Sequence, residues 1–204
     1  MKTAADYRNG VLTVLGDPAG RRYLEAQVDM ALETALGVLD QYQPNKETVK
    51  IKIAAMRGRE GVLKWQPEAG YDILTIRNED GSKWYDASDY RTGVWTYLEF
   101  YGKDIPSEGE NLLLELTQEH TVQGLNGERT TVPDELYTVL CSGAAGYAMR
   151  IRARSVTEVF GKRPEDTERL IEQAETLISE YHEQLRDRTS RNSHDPLPRG
   201  GWRP

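Results

Sequence analysis

The stretch that decides the fold is Asp134–Phe160, DELYTVLCSGAAGYAMRIRARSVTEVF. Leu136, Val139, Leu140, Tyr147 and Ile151 fall on or near one apolar stripe, which predicts a single long helix. At its middle stand Cys141, Ser142, Gly143, Ala144, Ala145 and Gly146. A glycine inside a helix costs about 1 kcal/mol relative to alanine. A helix that accepts this cost twice, at Gly143 and Gly146, is expected to gain close approach of another backbone there. Gly143, Ala144 and Gly146 are therefore the expected close-packing positions, against a helix of the same subunit or of a neighbour.

Other elements are read outward from this helix. On its N-terminal side, residues 45–130 lose helical spacing and take up period two. Val49, Ile51 and Ile53 alternate with Lys50 and Lys52, the mark of a half-buried strand. Val62–Trp65, Asp72–Asn78, Lys83–Tyr85, Val94–Tyr101 and Leu112–His120 follow, with a tight turn expected at Asp80-Gly81. Five or six antiparallel strands are expected, forming a β-rich module inserted between helices. Before it, Leu24, Val28, Leu32, Leu36 and Leu39 repeat at helical steps. Asp17 and Pro18 read as cap and first turn of that helix, which would run to Tyr42, roughly 25 residues or ~37 Å. Residues 1–16 give no clear period.

After the glycine helix, Gly161–Pro164 breaks the pattern. A last amphipathic helix is expected from about Glu165 to Asp187, on Leu170, Ile171, Ala174, Leu177, Ile178, Tyr181 and Leu185. Thr189–Pro204 has no period and reads as an extended tail. The expected class is thus α+β. A bundle of three main helices (1–44 and 131–188) carries the inserted module (45–130) and a C-terminal tail (189–204).

Charge is distributed unevenly. The 204 residues hold 26 Lys and Arg against 33 Asp and Glu, a net charge of -7. From Arg186 onward, Arg186, Arg188, Arg191, Arg199 and Arg203 face only Asp187 and Asp195, a local +3, so the rest carries -10. An acidic chain is poorly suited to wrapping nucleic acid. A basic, proline-rich tail bearing Trp202 suits an acidic groove, with Trp202 as anchor.

The residues offer little chemistry. Three histidines, His120, His182 and His194, lack metal-ligand spacing, and a single cysteine cannot build a zinc site. Cys141 among small apolar neighbours reads as a packed thiol. Ser142 lies mid-helix without the pattern of a nucleophile elbow. Asp86, Asp89 and Asp104 read as a solvated rim. No catalytic residue, metal or cofactor is expected, and a hydrolase has no nameable nucleophile and base. No apolar run reaches a membrane-spanning length, and MKTAADYRNG lacks the apolar core of a signal peptide. The aromatic series Trp84, Tyr85, Tyr90, Trp95, Tyr97, Phe100 and Tyr101 divides between module core and contact surface. Trp84, Trp95, Tyr97 and Tyr101 are the expected subunit or partner contacts.

GDPAGRRYLEAQVDMALETAL (16–36) resembles the opening helix of tailed-bacteriophage head-to-tail adaptor proteins, also called head completion or connector proteins. Gly109–Thr121, then Thr130–Pro133, the small-residue helix at Gly143–Ala145 and a last amphipathic helix with a polar tail resemble that group too. The resemblance spans roughly residues 16–188. It implies a virion protein made in the host cytoplasm, a ring generally of twelve copies beneath the portal protein. Such a ring contacts neighbouring adaptor subunits, extends the DNA channel without binding DNA specifically, and docks the next neck or tail-completion protein. The resemblance also implies that the C-terminal segment reaches the portal, which makes Arg186, Arg188, Arg191, Arg199, Trp202 and Arg203 its expected anchors. The competing expectation is that the aromatic module binds a carbohydrate or a receptor.

Overall fold

The structure, a computed structural model, describes residues 2–53, 62–65, 72–92, 95–101, 105–160 and 164–192. It is an α+β chain with four helices and two antiparallel sheets among the described residues. The chain divides into a helical unit, 1–44 with 120–204, and a β unit, 45–119.

Helix α1, Ala4–Val14, occupies the lead-in where no period was legible. The Asp6 carboxylate accepts hydrogen bonds from the Thr3 backbone N–H (2.7 Å) and the Thr3 hydroxyl (3.0 Å), which fixes its first turn. Four helices thus replace the expected three. Helix α2 runs Glu25–Tyr42 and starts well after Pro18. The reason lies in Asp17, which caps no helix. Its buried carboxylate gathers the backbone N–H groups of Arg21 (3.0 Å), Arg22 (2.6 Å) and Tyr23 (3.1 Å) into a tight loop. Gly16 and Gly20, both near φ +60°, make the corners of that loop.

Burial alone would raise the Asp17 pKa, but the three N–H donors outweigh it and hold the group below its ordinary 3.8. A depressed folded value means that this contribution to stability is complete above the ordinary value. It is lost as the pH falls through the folded one. In urea titrations stepped from pH 6 to pH 3, Asp17→Asn is expected to lose less stability with acid than wild type. Equal acid sensitivity would show that the loop carboxylate contributes nothing.

Helix α3, Tyr137–Phe160, follows a 3-10 turn at Asp134–Leu136. Helix α4 spans Pro164–Asn192, so residues 189–192 are helical and do not belong to an extended tail. Thr189 helps to continue it, its hydroxyl donating to the carbonyls of Leu185 (2.9 Å) and Tyr42 (3.2 Å). Helix α3 is central: α1, α2 and α4 all pack on it. Its Leu140, Ala144, Ala145 and Ala148 meet Val28, Leu32, Leu36 and Leu39 of α2, Tyr7 and Val11 of α1, and Tyr181 and Leu185 of α4 in one core.

Residues 120–130, expected in the module, belong with the helices. His120 donates its backbone N–H to Asp40 (2.7 Å), Ala4 donates to the Gln123 carbonyl (2.8 Å), and Thr130 bonds the Lys2 carbonyl (2.5 Å). Buried Val122 and Val132 join the helical core.

In the β unit, strands β1 (Asn45–Lys52), β6 (Asn111–Gln118) and β3 (Asp72–Asn78) form one sheet in that order. Strands β2 (Val62–Trp65), β5 (Trp95–Tyr101) and β4 (Asp86–Thr92) form the other. The inward residues Leu112, Leu114 and Leu116 lie opposite Ile51, Val49 and Glu47 of β1. With Ile76, Leu63, Leu98 and Phe100 they make one core shared by both sheets. The Asp80-Gly81 turn forms, but the expected strand at Lys83–Tyr85 does not. Pairing continues only to an Arg77–Trp84 bridge, after which the chain crosses to pair as β4 with β5.

Candidate functional site

The close-packing glycines face inside the subunit. A Cβ on Gly143 would lie 2.5 Å from Cγ of Tyr181, and one on Gly146 would lie 3.1 Å from the Ala174 carbonyl oxygen and 2.9 Å from Ile178. Both positions are buried against α4, and Ala144 is wholly buried with them. The seam therefore joins two helices of one chain and is not open to a neighbour. Tyr181 is locked in place: its ring is buried and its hydroxyl donates to the Ala35 carbonyl of α2 (2.8 Å). A third glycine does the same work and escaped the sequence reading. A Cβ on Gly10 of α1 would meet the Tyr137 hydroxyl at 2.5 Å and the Cys141 sulfur at 2.6 Å. No periodic signal marks it, because one glycine in a short helix has no partner to form a pattern with. The outward glycine is Gly37 of α2, where an added Cβ meets nothing within 4 Å.

Cys141 has its Sγ 3.9 Å from the Tyr7 carbonyl, in a buried setting. Burial pushes its thiol pKa up to about 11, against a smaller lowering influence from Tyr137 and Lys2. Burial likewise raises the Tyr7 and Tyr181 phenols well above the usual range. A thiol so placed is neither ionised nor reachable at neutral pH. Native protein at pH 8 is expected to leave Cys141 unmodified by iodoacetamide, with labelling appearing only in urea. Intact mass would show rapid native labelling if the packing account of this residue were wrong.

The histidines hold structure together. His120, expected at a strand end, is buried, with Nε2 2.9 Å from the Gln43 carbonyl and Nδ1 3.2 Å from Thr131 Oγ1. His182 is half-buried, not on an open helix surface, between the hydroxyls of Tyr42 (3.2 Å) and Tyr147 (3.4 Å). His194 lies outside the described residues. Among the described residues no group of three His, Cys, Asp or Glu is placed to hold a metal ion. No helix among them is long and apolar enough to cross a membrane.

Helix α4 exposes mostly carboxylates, with Arg169 among them and Asp187 beside Arg186 near its end. Glu168, Glu172, Glu175, Glu180 and Glu183 are exposed along its length, and Arg186 is exposed near its end, with Arg188 half-buried. The structure thus places Arg186 and Arg188 on a helix. Arg191 lies on its last turn, its side chain outside the described residues, as are Arg199, Trp202 and Arg203 altogether.

The aromatic series divides by strand parity. Tyr85 and Phe100 are buried and pack edge to face, ring centroids 6.1 Å apart. Trp84 is 50% exposed and Tyr101 46%, with Tyr97 half-buried. Tyr97 and Tyr101 share one side of β5, whereas Trp84 bridges Arg77 of β3, whose guanidinium lies 5.9 Å from the Trp84 ring centre. Trp95 has the register parity of Tyr97 and Tyr101; its side chain, and that of Tyr90, lie outside the described residues. Of the three carboxylates read as a solvated rim, Asp86 and Asp89 are exposed on β4, and Asp104 lies outside the described residues.

Comparison with known proteins adds no relative: no protein family matches the chain, and no curated protein does.

Proposed function

We propose that this chain is a structural adaptor of a tailed-phage neck. Copies form a ring beneath the portal protein, extend the DNA channel, and present a surface to the next neck or tail component. The C-terminal segment anchors each copy to the portal through Arg186, Arg188, Arg191, Arg199, Trp202 and Arg203. The observation that carries the reading is the change of sign along α4. A helix locked to the subunit core by Gly143, Gly146 and Tyr181 exposes carboxylates over most of its length and ends in arginines. Such a helix holds a basic, Trp-bearing segment at a fixed point of departure, ready for an acidic groove. DNA passes a predominantly acidic ring without adhering to it, because like charges repel.

The test is co-purification of the chain with a candidate portal protein. The full chain is expected to be retained, and a chain ending at Arg188 is expected to be lost from the complex while keeping its helical circular dichroism. Undiminished retention of the shortened chain would remove the anchor from the account.

Exposed Trp84 and Tyr101 favour a second reading, in which the aromatic β unit binds a carbohydrate or a receptor. That reading predicts specific binding on a glycan array that Trp84→Ala and Tyr101→Ala abolish.

A further inference from the structure

We infer that Arg21, Arg22 and Arg152 form one half of a contact between copies of this chain, and that the acidic ridge of α4, Glu168, Glu172 and Glu183, on a second copy forms the other half. The inference deepens the ring reading, since it names the surfaces that would join neighbouring subunits.

The basic half is rigidly presented. Asp17 holds the backbone N–H groups of residues 21, 22 and 23, so two consecutive arginines leave the loop from fixed positions. Arg152 of α3 is fixed beside them. Its Nη1 donates to the Arg22 carbonyl (2.7 Å) and its guanidinium lies 4.9 Å from the centre of the buried Tyr23 ring. Arg21 and Arg22 are exposed. None of the three makes an ion pair with a carboxylate among the described residues. The neighbouring Asp17 is buried and occupied by backbone donors. Arg8 shows the contrast nearby: it is neutralised by a two-pronged contact with Asp29 (2.6 and 2.8 Å) and by Glu25 (2.7 Å). Asp17 attracts Arg22 electrostatically, so three guanidinium groups against one carboxylate leave this loop and its α3 neighbour with an excess of positive charge on a chain of net charge -7.

The acidic half carries an excess of the opposite sign. Glu175 is taken up by Arg150 (3.6 Å), but Glu168, Glu172 and Glu183 are exposed and pair with no cation among the described residues. Glu168 and Glu172 stand one turn apart, about 6 Å along the helix. That spacing is within reach of two adjacent arginine side chains. Charge complementarity selects a second copy over nucleic acid as occupant, because a polyanion reaching this patch would meet the repulsion of the remaining acidic surface. Patch and ridge are different surfaces, so the contact is head to tail and propagates into a closed ring or an open chain.

Sedimentation velocity of the full chain over a concentration series, at low and at high salt, reads the contact. Wild type is expected to self-associate at low salt and to dissociate as salt screens the pairs. R21E/R22E and E168R/E172R are each expected to weaken association about tenfold or more. The chain carrying all four substitutions is expected to recover most of it. The hydrogen bonds that Asp17 accepts from residues 21 and 22 come from their backbone N–H groups and survive these substitutions, so the fold is expected to persist, and circular dichroism checks this. A chain that stays monomeric at low salt throughout the series, or association that neither pair of substitutions moves, overturns the inference. So does R21E/R22E abolishing the binding of a labelled DNA duplex while self-association persists, an outcome that assigns the patch to nucleic acid. Failure of portal retention with this salt-dependent association intact would count against the portal reading alone.

Discussion

Replacing Gly143 by alanine is expected to lower the stability of the helical unit by about 2 kcal/mol. Alanine in a helix ordinarily gains about 1 kcal/mol over glycine. Here the added Cβ would stand 2.5 to 2.8 Å from Cγ and both Cδ atoms of Tyr181, so it strikes the base of a ring and not a mobile tip. The ring cannot step aside cheaply, being buried and tied through its hydroxyl to Ala35. Overpacking of this kind costs roughly 1–3 kcal/mol, and a direct collision with an anchored ring belongs at the top of that range. Gly37→Ala is the matched control. With nothing within 4 Å of its Cβ, it is expected to gain up to about 1 kcal/mol. Urea unfolding followed by far-ultraviolet circular dichroism measures both. The two substitutions share their chemistry and must differ in sign; two gains of similar size would mean that α3 and α4 are not in close contact at Gly143.

Leu114→Ala is expected to cost the β unit about 2–5 kcal/mol. Leu114 is wholly buried on the central strand, opposite Val49 on one side and Ile76 on the other, and it belongs to the core that both sheets share. Truncation there leaves a cavity that two flanking strands cannot close. Leu113, one residue earlier, points to the other face, and its truncation is expected to cost under about 1 kcal/mol. Trp65, Trp84 and Trp95 lie in this unit and Trp202 does not, so tryptophan fluorescence in urea, read in a Trp202→Phe background, follows it. Equal losses at 113 and 114 would mean that the register of β6 is shifted by one residue.

The long elements were legible because each buries a stripe or an alternating face. Helices α3 and α4 follow their apolar spacing, and β1 and β6 follow their period of two. The errors have particular causes. Asp17 and Pro18 have the composition of a helix start, but the same carboxylate can serve consecutive loop N–H groups, and that choice depends on three-dimensional closure. Helix α1 is short, and only Ala4, Tyr7 and Val11 mark its buried side, too few to establish a period. Strand β4, DASDYRT, is a polar edge strand, so hydrophobic alternation does not announce it. Residues 120–130 look like a continuation of the module, yet their hydrogen bonds run to Lys2, Ala4 and Asp40, contacts distant in sequence. For the candidate sites, Gly143 and Gly146 announced a close approach without naming Tyr181 and Ala174 as what approaches. The arginine patch was invisible because Arg152 is far in sequence from Arg21 and Arg22, and only the loop built on Asp17 brings them together.

We propose above a portal-bound ring component held by its C-terminal segment. Native mass spectrometry of the chain mixed with a candidate portal assembly tests it most directly. One copy per portal subunit is expected, with the occupancy lost when the chain ends at Arg188. Absence of any complex with the full-length chain, or full occupancy by the shortened one, would contradict it.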